Sequence, residues 1–146
     1  MWKKVTYNGS LLAIIVSSKF QQEGTFFFTP EWFSQQLGYM HHPKGHRIKP
    51  HSHLFLSRET TLTQEVLFIR KGRLRVDFYD ENDVYFQSEI LEAGDVILLI
   101  SGGHGFETLE ELEMFEVKQG PFVGETDKRR FDGVNANEKK NQEESD

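Results

Sequence analysis

The order of apolar and polar residues along the chain predicts strands rather than helices. Leu74, Val76 and Phe78 alternate with charged residues, which is the period-two pattern of a strand with one buried face. The continuous apolar run Val96–Ile100 predicts a strand buried on both faces. The same criteria predict further strands at Val66–Ile69, Val84–Leu91, His104–Leu109 and Leu112–Gln119.

Turn-forming residues separate these segments at short and regular intervals. They occur at Lys71-Gly72, Asp80–Asp83, Ala93–Asp95 and Ser101–Gly103. Such spacing is typical of an all-β sandwich or barrel. The one helical element expected is a short turn over Pro30–Leu37, with Thr29 in position to cap it. The sequence thus predicts one all-β domain over residues 1–131.

The last predicted strand has apolar residues on both faces. Phe115 and Val117 lie on one side, and Leu112 and Met114 lie on the other. A sandwich needs only one apolar face per strand, so something should cover the second face. A helix or an N-terminal segment would do so, and so would a second subunit. We expect a homodimer.

Composition narrows the class of protein. The 146 residues include no cysteine, which excludes a disulfide scaffold, a thiolate nucleophile and a thiolate metal site. The net charge of −6 argues against nucleic acid as a partner. The longest apolar runs are too short to span a membrane, and no secretory cleavage site is evident, so we expect a cytoplasmic protein. Residues 132–146 are polar and predict a disordered tail.

Five of the six histidines lie between His41 and His53, and the sixth is His104. In an extended strand, residues two apart point the same way, so His51 and His53 project side by side and can share one divalent cation. Glu65 and His104 could complete the site from neighbouring strands. The alternative is an ordinary surface pair, which is common for an isolated His-x-His. His42 and His46 have the wrong parity, and His41 remains open.

The same residues resemble the first motif of the cupin superfamily. Gly45 is followed after five residues by His51-x-His53, and Glu65 is followed after six residues by Gly72. Eleven residues, 54–64, separate His53 from Glu65, a longer gap than the family usually has. Glu59 lies within that gap and is a weaker rival for the carboxylate.

The second cupin motif is matched in part. Gly94, Gly102 and His104 correspond to its glycines and histidine. Ile100 stands where the family has proline, and Thr108 stands at the asparagine position. The resemblance implies a jelly-roll barrel in which His51, His53, Glu65 and His104 bind one metal ion. Zn, Fe, Mn, Co or Ni would suit three imidazoles and one carboxylate. The long gap implies an enlarged hairpin at the rim, acting as a lid or simply a loop.

Candidate substrate contacts follow from parity. Arg47 and Lys49 share the strand face of His51 and His53, so they would place positive charge near the site and favour a small anionic ligand: a carboxylate, a phosphate or a sugar acid. Solvent-facing positions at the rim are the alternative. Further candidates for the lining are Tyr39, His41 and Phe106.

The resemblance to small bacterial cupins of sugar or nucleotide-sugar and surface-polysaccharide metabolism implies an isomerase or epimerase. His51 or Glu65 would move the proton in such an enzyme. Two other functions stay open. The first is a non-haem iron dioxygenase, since two histidines and a carboxylate make a facial triad. The second is a non-catalytic cupin that binds or senses a ligand.

Overall fold

The computed structural model describes residues 1–134 of the chain, and ten strands form its framework. In chain order they are β1 (Trp2–Tyr7), β2 (Ser10–Val16), β3 (Gly24–Phe27), β4 (Gly38–His41), β5 (Glu65–Lys71), β6 (Arg73–Tyr79), β7 (Tyr85–Glu92), β8 (Val96–Leu99), β9 (Gly103–Thr108) and β10 (Glu113–Lys118). The prediction of an all-β fold is confirmed. Every segment from Val66 onward that the sequence predicts as a strand overlaps one of these strands.

Two antiparallel sheets form a sandwich. The larger has the order β1-β2-β8-β5-β10, and the smaller has the order β7-β6-β9. Alternate residues of each sheet point between them and form one apolar cluster, which we call the inner core. It includes Leu67 and Ile69 of β5 and Leu74, Val76 and Phe78 of β6, all of them buried. The period-two pattern of β6 therefore marks the inner core.

A second apolar cluster lies on the opposite side of the larger sheet. Ile14 and Leu98 point into it, and the β3–β4 hairpin with its neighbouring aromatic residues covers them. Phe20 and Phe28 meet edge to face at 5.0 Å in this outer cluster. The run Val96–Ile100 is buried on both faces because β8 separates the two clusters.

The hairpin leaves one corner of the larger sheet uncovered. On its outer side, Phe68 of β5 pairs with Phe115 of β10, and Val66 pairs with Val117. Phe115 and Val117 are 57% and 62% exposed. The β3–β4 hairpin therefore covers β2 and β8 but leaves the outer face of β10 uncovered.

The two sheets are not joined by backbone pairing at the side where β10 lies. Within residues 1–134, β10 ends the larger sheet and β9 ends the smaller one, so no closed barrel is formed. At the opposite side, Lys3 of β1 contacts Glu89 of β7. The sandwich is consequently joined at one side and open between β9 and β10.

The expected helical turn over Pro30–Leu37 is irregular instead. Phe33 N–H donates to Pro30 C=O at 3.1 Å, but no helix continues from it. The side-chain amide of Gln36 donates to the carbonyls of Pro30 and Phe33, which a helix would need for its own backbone. Side-chain bonds of this kind compete with helix formation.

Residues 42–64 connect β4 to β5 without forming a strand, and we call residues 42–63 the arm. Residues 43–63 are all exposed. The extended strand predicted around His51 and His53 thus has no neighbouring strand in the part of the chain that the structure describes.

The end of the described chain packs back on the sandwich. The ring of Phe131 meets Tyr79 edge to face at 5.0 Å, and Val134 N–H donates to the Tyr79 hydroxyl at 3.1 Å. Most of the predicted disordered tail, residues 135–146, lies outside the described residues. No helix within residues 1–134 is long and apolar enough to cross a membrane.

Candidate functional site

Glu65 and His104 form a contact across the open side of the sandwich. His104 pairs with buried Phe78 in the smaller sheet, which places it on the inner side. Glu65 alternates with Leu67 and Ile69 and so points inward from the larger sheet. Nε2 of His104 lies 3.2 Å from Oε2 of Glu65. Two strands that are far apart in sequence therefore supply an imidazole and a carboxylate to one place.

The surroundings of Glu65 favour its charged form. A hydrogen bond from His104 is the main cause that lowers the pKa of this carboxyl below 4.5, its ordinary value. Burial opposes that effect, whereas the charges of His104 and Lys118 and a hydrogen bond with Glu116 add to it. Glu65 is only 8% exposed, so an uncompensated charge there would be costly. The carboxylate is thus held ionised by its neighbours.

Lys118 provides a cation beside this pair. It lies opposite Glu65 in the β5–β10 ladder, with Nζ 3.8 Å from Glu65 Oε1. The same Nζ lies 3.9 Å from Oδ2 of Asp127, which accepts a hydrogen bond from Thr63. Lys118 is partly exposed, so an anionic ligand could reach its ammonium group.

A small cavity adjoins Lys118. It has a volume of about 190 Å³, and its lining runs from Lys118 to Gly124 and includes Asp127. Phe122 and Val123 supply apolar surface, and they are 90% and 52% exposed. Apolar walls with a few polar groups are typical of sites for small molecules.

The histidines of the arm lie apart from the Glu65–His104 pair. The rings of His51 and His53 meet edge to face with centroids 5.2 Å apart, which agrees with the expected side-by-side placement. His42 and His46 stack at 4.0 Å as a separate pair. Within residues 1–134, no three histidine, aspartate or glutamate side chains come together as a metal-binding group. The four predicted ligands therefore form two separate pairs.

The four predicted substrate contacts have different positions. Arg47 and Lys49 are exposed on the arm. Tyr39 packs against Phe20 at 4.9 Å in the outer cluster, on the other side of the larger sheet from Glu65. Phe106 lies 5.3 Å from the His104 ring, opposite buried Val76 on the inner side, so its expected direction agrees with the structure.

The sequence interpretation missed Lys118, Glu116 and Asp127. Lys118 and Glu116 share one face of β10 with Met114, and that parity was visible. Their register with Glu65 was not visible, because it depends on the β5–β10 pairing. Asp127 follows a loop for which the sequence has no periodic pattern.

A larger cavity of about 310 Å³ lies between the turns that follow β1, β6 and β8. Asp80 and Glu81 are its ionisable acids, but Asp80 Oδ1 already accepts hydrogen bonds from the backbone of Asn82 and Val84. Its lining contains no histidine or lysine, so it offers no acid–base pair like that of Glu65 and His104.

Comparison of the chain with protein-family models, with curated proteins and with solved structures finds no match.

Proposed function

We propose that this chain is a cupin-type isomerase or epimerase that acts on a small anionic sugar or nucleotide-sugar. The observation that carries the proposal is the Glu65–His104 contact at 3.2 Å on the open side of the sandwich, with Lys118 beside it. An imidazole held by an ionised carboxylate is a common arrangement for general acid–base catalysis. The partial matches to both cupin motifs support the jelly-roll assignment, and the two packed antiparallel sheets are compatible with it.

Proton transfer in such a site would use His104 as the acid–base group. Glu65 accepts the hydrogen bond of Nε2, which leaves Nδ1 for the substrate. Nδ1 would take a proton from the carbon next to a carbonyl group and give an enediolate. In an isomerase it would then return that proton to the former carbonyl carbon, while the hydroxyl proton moves from one enediolate oxygen to the other and a new carbonyl forms. In an epimerase the proton would return to the other face of the same carbon, and the original carbonyl would form again. Glu65 stabilises the imidazolium between the two steps.

Substrate binding would fall to the groups around this pair. The ammonium of Lys118 would bind the anionic group, because charge-assisted hydrogen bonds are the strongest that a surface lysine offers. Phe106 would pack against the sugar beside the His104 ring. Arg47 and Lys49 would contribute only in a conformation that brings the arm to the site.

The positions of the four predicted donors decide whether they can hold one divalent transition metal. Two ligands of one tetrahedral zinc ion, each bound at 2.0–2.1 Å, lie about 3.3 Å apart. Glu65 Oε2 and His104 Nε2 at 3.2 Å match that separation. His51 and His53 do not join them, so the four donors do not fit one ion within a single copy. No catalytic step is therefore assigned to a metal.

Deuterium exchange in D₂O tests the proposed reaction. A panel of uronates and nucleotide-sugars is incubated with the protein, and NMR follows the hydrogen at the reacting carbon. We expect exchange with at least one member of the panel, and a loss of about 10²–10⁴-fold in the His104→Ala variant. His46→Ala, a change in an exposed histidine of the arm, is the matched control. Tight binding without exchange across the panel would instead indicate a sensing protein.

A further inference from the structure

We infer that the arm is a membrane-binding segment whose apolar tip enters the interface of a bilayer containing anionic phospholipids. The tip consists of Leu54, Phe55 and Leu56. This inference goes beyond the proposed function, because it uses neither Glu65 nor His104. It rests on the exposure of the tip, on the charge of the arm and on the distance that the arm can span.

The three large apolar side chains of the tip are exposed together. Leu54, Phe55 and Leu56 are 87%, 108% and 68% exposed. Between residues 44 and 62, the hydrogen bonds that the structure describes stay within the arm, such as the contact between Lys49 C=O and His51 Nδ1. Large apolar surface in water is unfavourable, and a contiguous patch of it indicates a contact with another molecule or with a membrane.

The consecutive placement of these residues favours a lipid phase over a protein surface. In an extended segment, neighbouring side chains point to opposite sides, so a sheet edge covers only alternate ones on its apolar face. Along the edge of β10 in a second copy, the two leucines could meet Phe115 on the outer side. Phe55 would then point to the inner side, where Lys118 lies near acidic groups. A bilayer interface can surround all three side chains at once.

The charge of the arm complements anionic headgroups. The arm has four cations (Lys44, Arg47, Lys49 and Arg58) and one acid, Glu59, which gives +3. All five of these residues are exposed. Basic residues at a membrane surface are attracted by anionic lipids, so each of the four cations favours binding to such a bilayer.

The order of residues places cations on both sides of the tip. Arg47 and Lys49 precede it, and Arg58 follows it after one serine. Ile48, which is exposed between the first two cations, adds apolar surface. Arginine and lysine can keep their charged ends among headgroups while their stems contact apolar surface. The arm therefore combines the two contributions, apolar area and positive charge, on which binding at an interface depends.

The length of the arm separates the tip from the acidic body of the protein. The rest of the chain has a net charge of −9, against −6 for the whole chain, so an anionic surface repels it. Buried Gln64, held by hydrogen bonds from Ser34 and Gln35, fixes the end of the arm. From there to Phe55 an extended chain spans up to about 30 Å. Charges are largely screened beyond about 8 Å at physiological ionic strength, so the attraction of the arm outweighs the repulsion of the body.

Flotation with lipid vesicles tests the inference on the full-length protein. The vesicles consist of phosphatidylcholine alone or of an equal mixture of phosphatidylcholine and phosphatidylserine. We expect affinity for the mixed vesicles to be higher by about tenfold or more, and to fall as the salt concentration rises. Changing all three tip residues to serine should lower it by more than about tenfold.

Single charge changes separate the arm from the body. Arg58→Gln removes one cation beside the tip and should lower the affinity for mixed vesicles by about fivefold. Lys19→Gln removes an exposed cation of the body and is the matched control, with no change expected. Equal losses in the two variants would show that the arm has no special role, which would overturn the inference.

A fluorescent label locates the contact. Because the chain has no cysteine, a single introduced cysteine can carry a fluorophore that is sensitive to polarity. We expect the signal of labelled Phe55→Cys to rise on mixed vesicles. Labelled Val84→Cys, at an exposed position in the turn between β6 and β7, should stay unchanged. A rise at Val84 alone, or at both positions, would place the contact on the body and overturn the inference.

Three further results would also overturn it. They are equal affinity for the two kinds of vesicle, full binding by the serine variant, and a wild-type protein that binds no vesicles but loses a dimeric state when the tip is changed. The last result would identify a second copy as the partner. If the triple serine variant fails to fold, Phe55→Ser alone replaces it. His104→Ala should bind vesicles as the wild type does, so vesicle binding and deuterium exchange report on the two proposals separately.

Discussion

Nε2 of His104 lies 3.2 Å from Oε2 of Glu65, although the strands that carry the two residues belong to different sheets. The contact spans the side on which the sandwich is open. It therefore links β9 to β5 where no backbone hydrogen bond does so. We expect the pair to contribute to the stability of the fold as well as to the chemistry of the site.

The lowered pKa of Glu65 predicts a defined pH dependence of stability. Because the pKa is lower in the folded state than its ordinary value of 4.5, the ionised carboxylate stabilises the fold. That stabilisation is fully present well above pH 4.5, and it is lost as the pH falls through the lower pKa of the folded protein. Urea unfolding of protein treated with EDTA, measured from pH 7 down to pH 3, should show the decline.

The Glu65→Gln variant isolates this effect. Glutamine does not titrate, so its unfolding free energy should fall less steeply below pH 4.5 than that of the wild type. His104, Lys118 and Glu116 surround Glu65 and stay unchanged in both proteins. Parallel curves for the two proteins would show that Glu65 does not couple to folding.

Two glycines with the same backbone conformation should respond differently to alanine. Gly45 and Gly72 both have φ of +87°. A Cβ on Gly72 would lie 2.1 Å from the carbonyl oxygen of Glu111, whereas a Cβ on Gly45 would meet nothing within 4 Å. We expect Gly72→Ala to lower the unfolding free energy by about 2–5 kcal/mol, from left-handed strain together with overpacking.

Gly45→Ala is the matched control for that change. Its position on the exposed arm lets the chain relax, so the loss should stay within about 1 kcal/mol. Both variants are compared by urea denaturation under the same conditions. Equal losses would show that backbone strain, rather than the contact with Glu111, accounts for the effect at Gly72.

Replacing Lys118 should weaken the binding of an anionic ligand. Loss of its ammonium group in Lys118→Ala removes a charge-assisted hydrogen bond, and we expect a rise in Kd or KM of about tenfold or more for a uronate. Lys118→Arg keeps the charge and should recover part of the affinity. Lys71→Ala removes a lysine that pairs with Glu111 at an exposed position and should have no effect. Unchanged affinity in Lys118→Ala would place the anion elsewhere.

Much of the fold could be predicted from local pattern. The alternation around Leu74, Val76 and Phe78 specifies one buried face, and the glycine turns separate the strands. The β3–β4 hairpin was not predicted, because Phe26 and Tyr39 become neighbours through strand pairing that no local period encodes. The prediction of a helical turn over Pro30–Leu37 was wrong, because the side-chain amide of Gln36 donates hydrogen bonds to the carbonyls of Pro30 and Phe33.

The sequence could predict the two residue pairs of the site, but not how the pairs lie relative to each other. Parity placed His51 beside His53, as their rings are. The cupin resemblance implied that Glu65 and His104 share one metal site; the two side chains are in contact, and the metal site stays a prediction. Whether the two pairs meet depends on where the arm lies, and neither periodicity nor motif spacing determines the path of an unpaired segment. Lys118 was not predicted, because its position opposite Glu65 depends on the register between β5 and β10.

Buried Gln64 anchors the end of the arm next to Glu65. Its side-chain oxygen accepts hydrogen bonds from Ser34 Oγ and Gln35 N–H, each at 3.1 Å. Strand β2 precedes the arm and β8 follows it, and these two strands pair with each other. The segments before and after residues 42–63 are therefore held together by a sheet and a shared apolar cluster. The chain can therefore be divided into two fragments at the arm. Fragments 1–41 and 64–146, made separately, should reassemble into the folded protein. The protein would then be suitable as a split reporter that is divided at the arm.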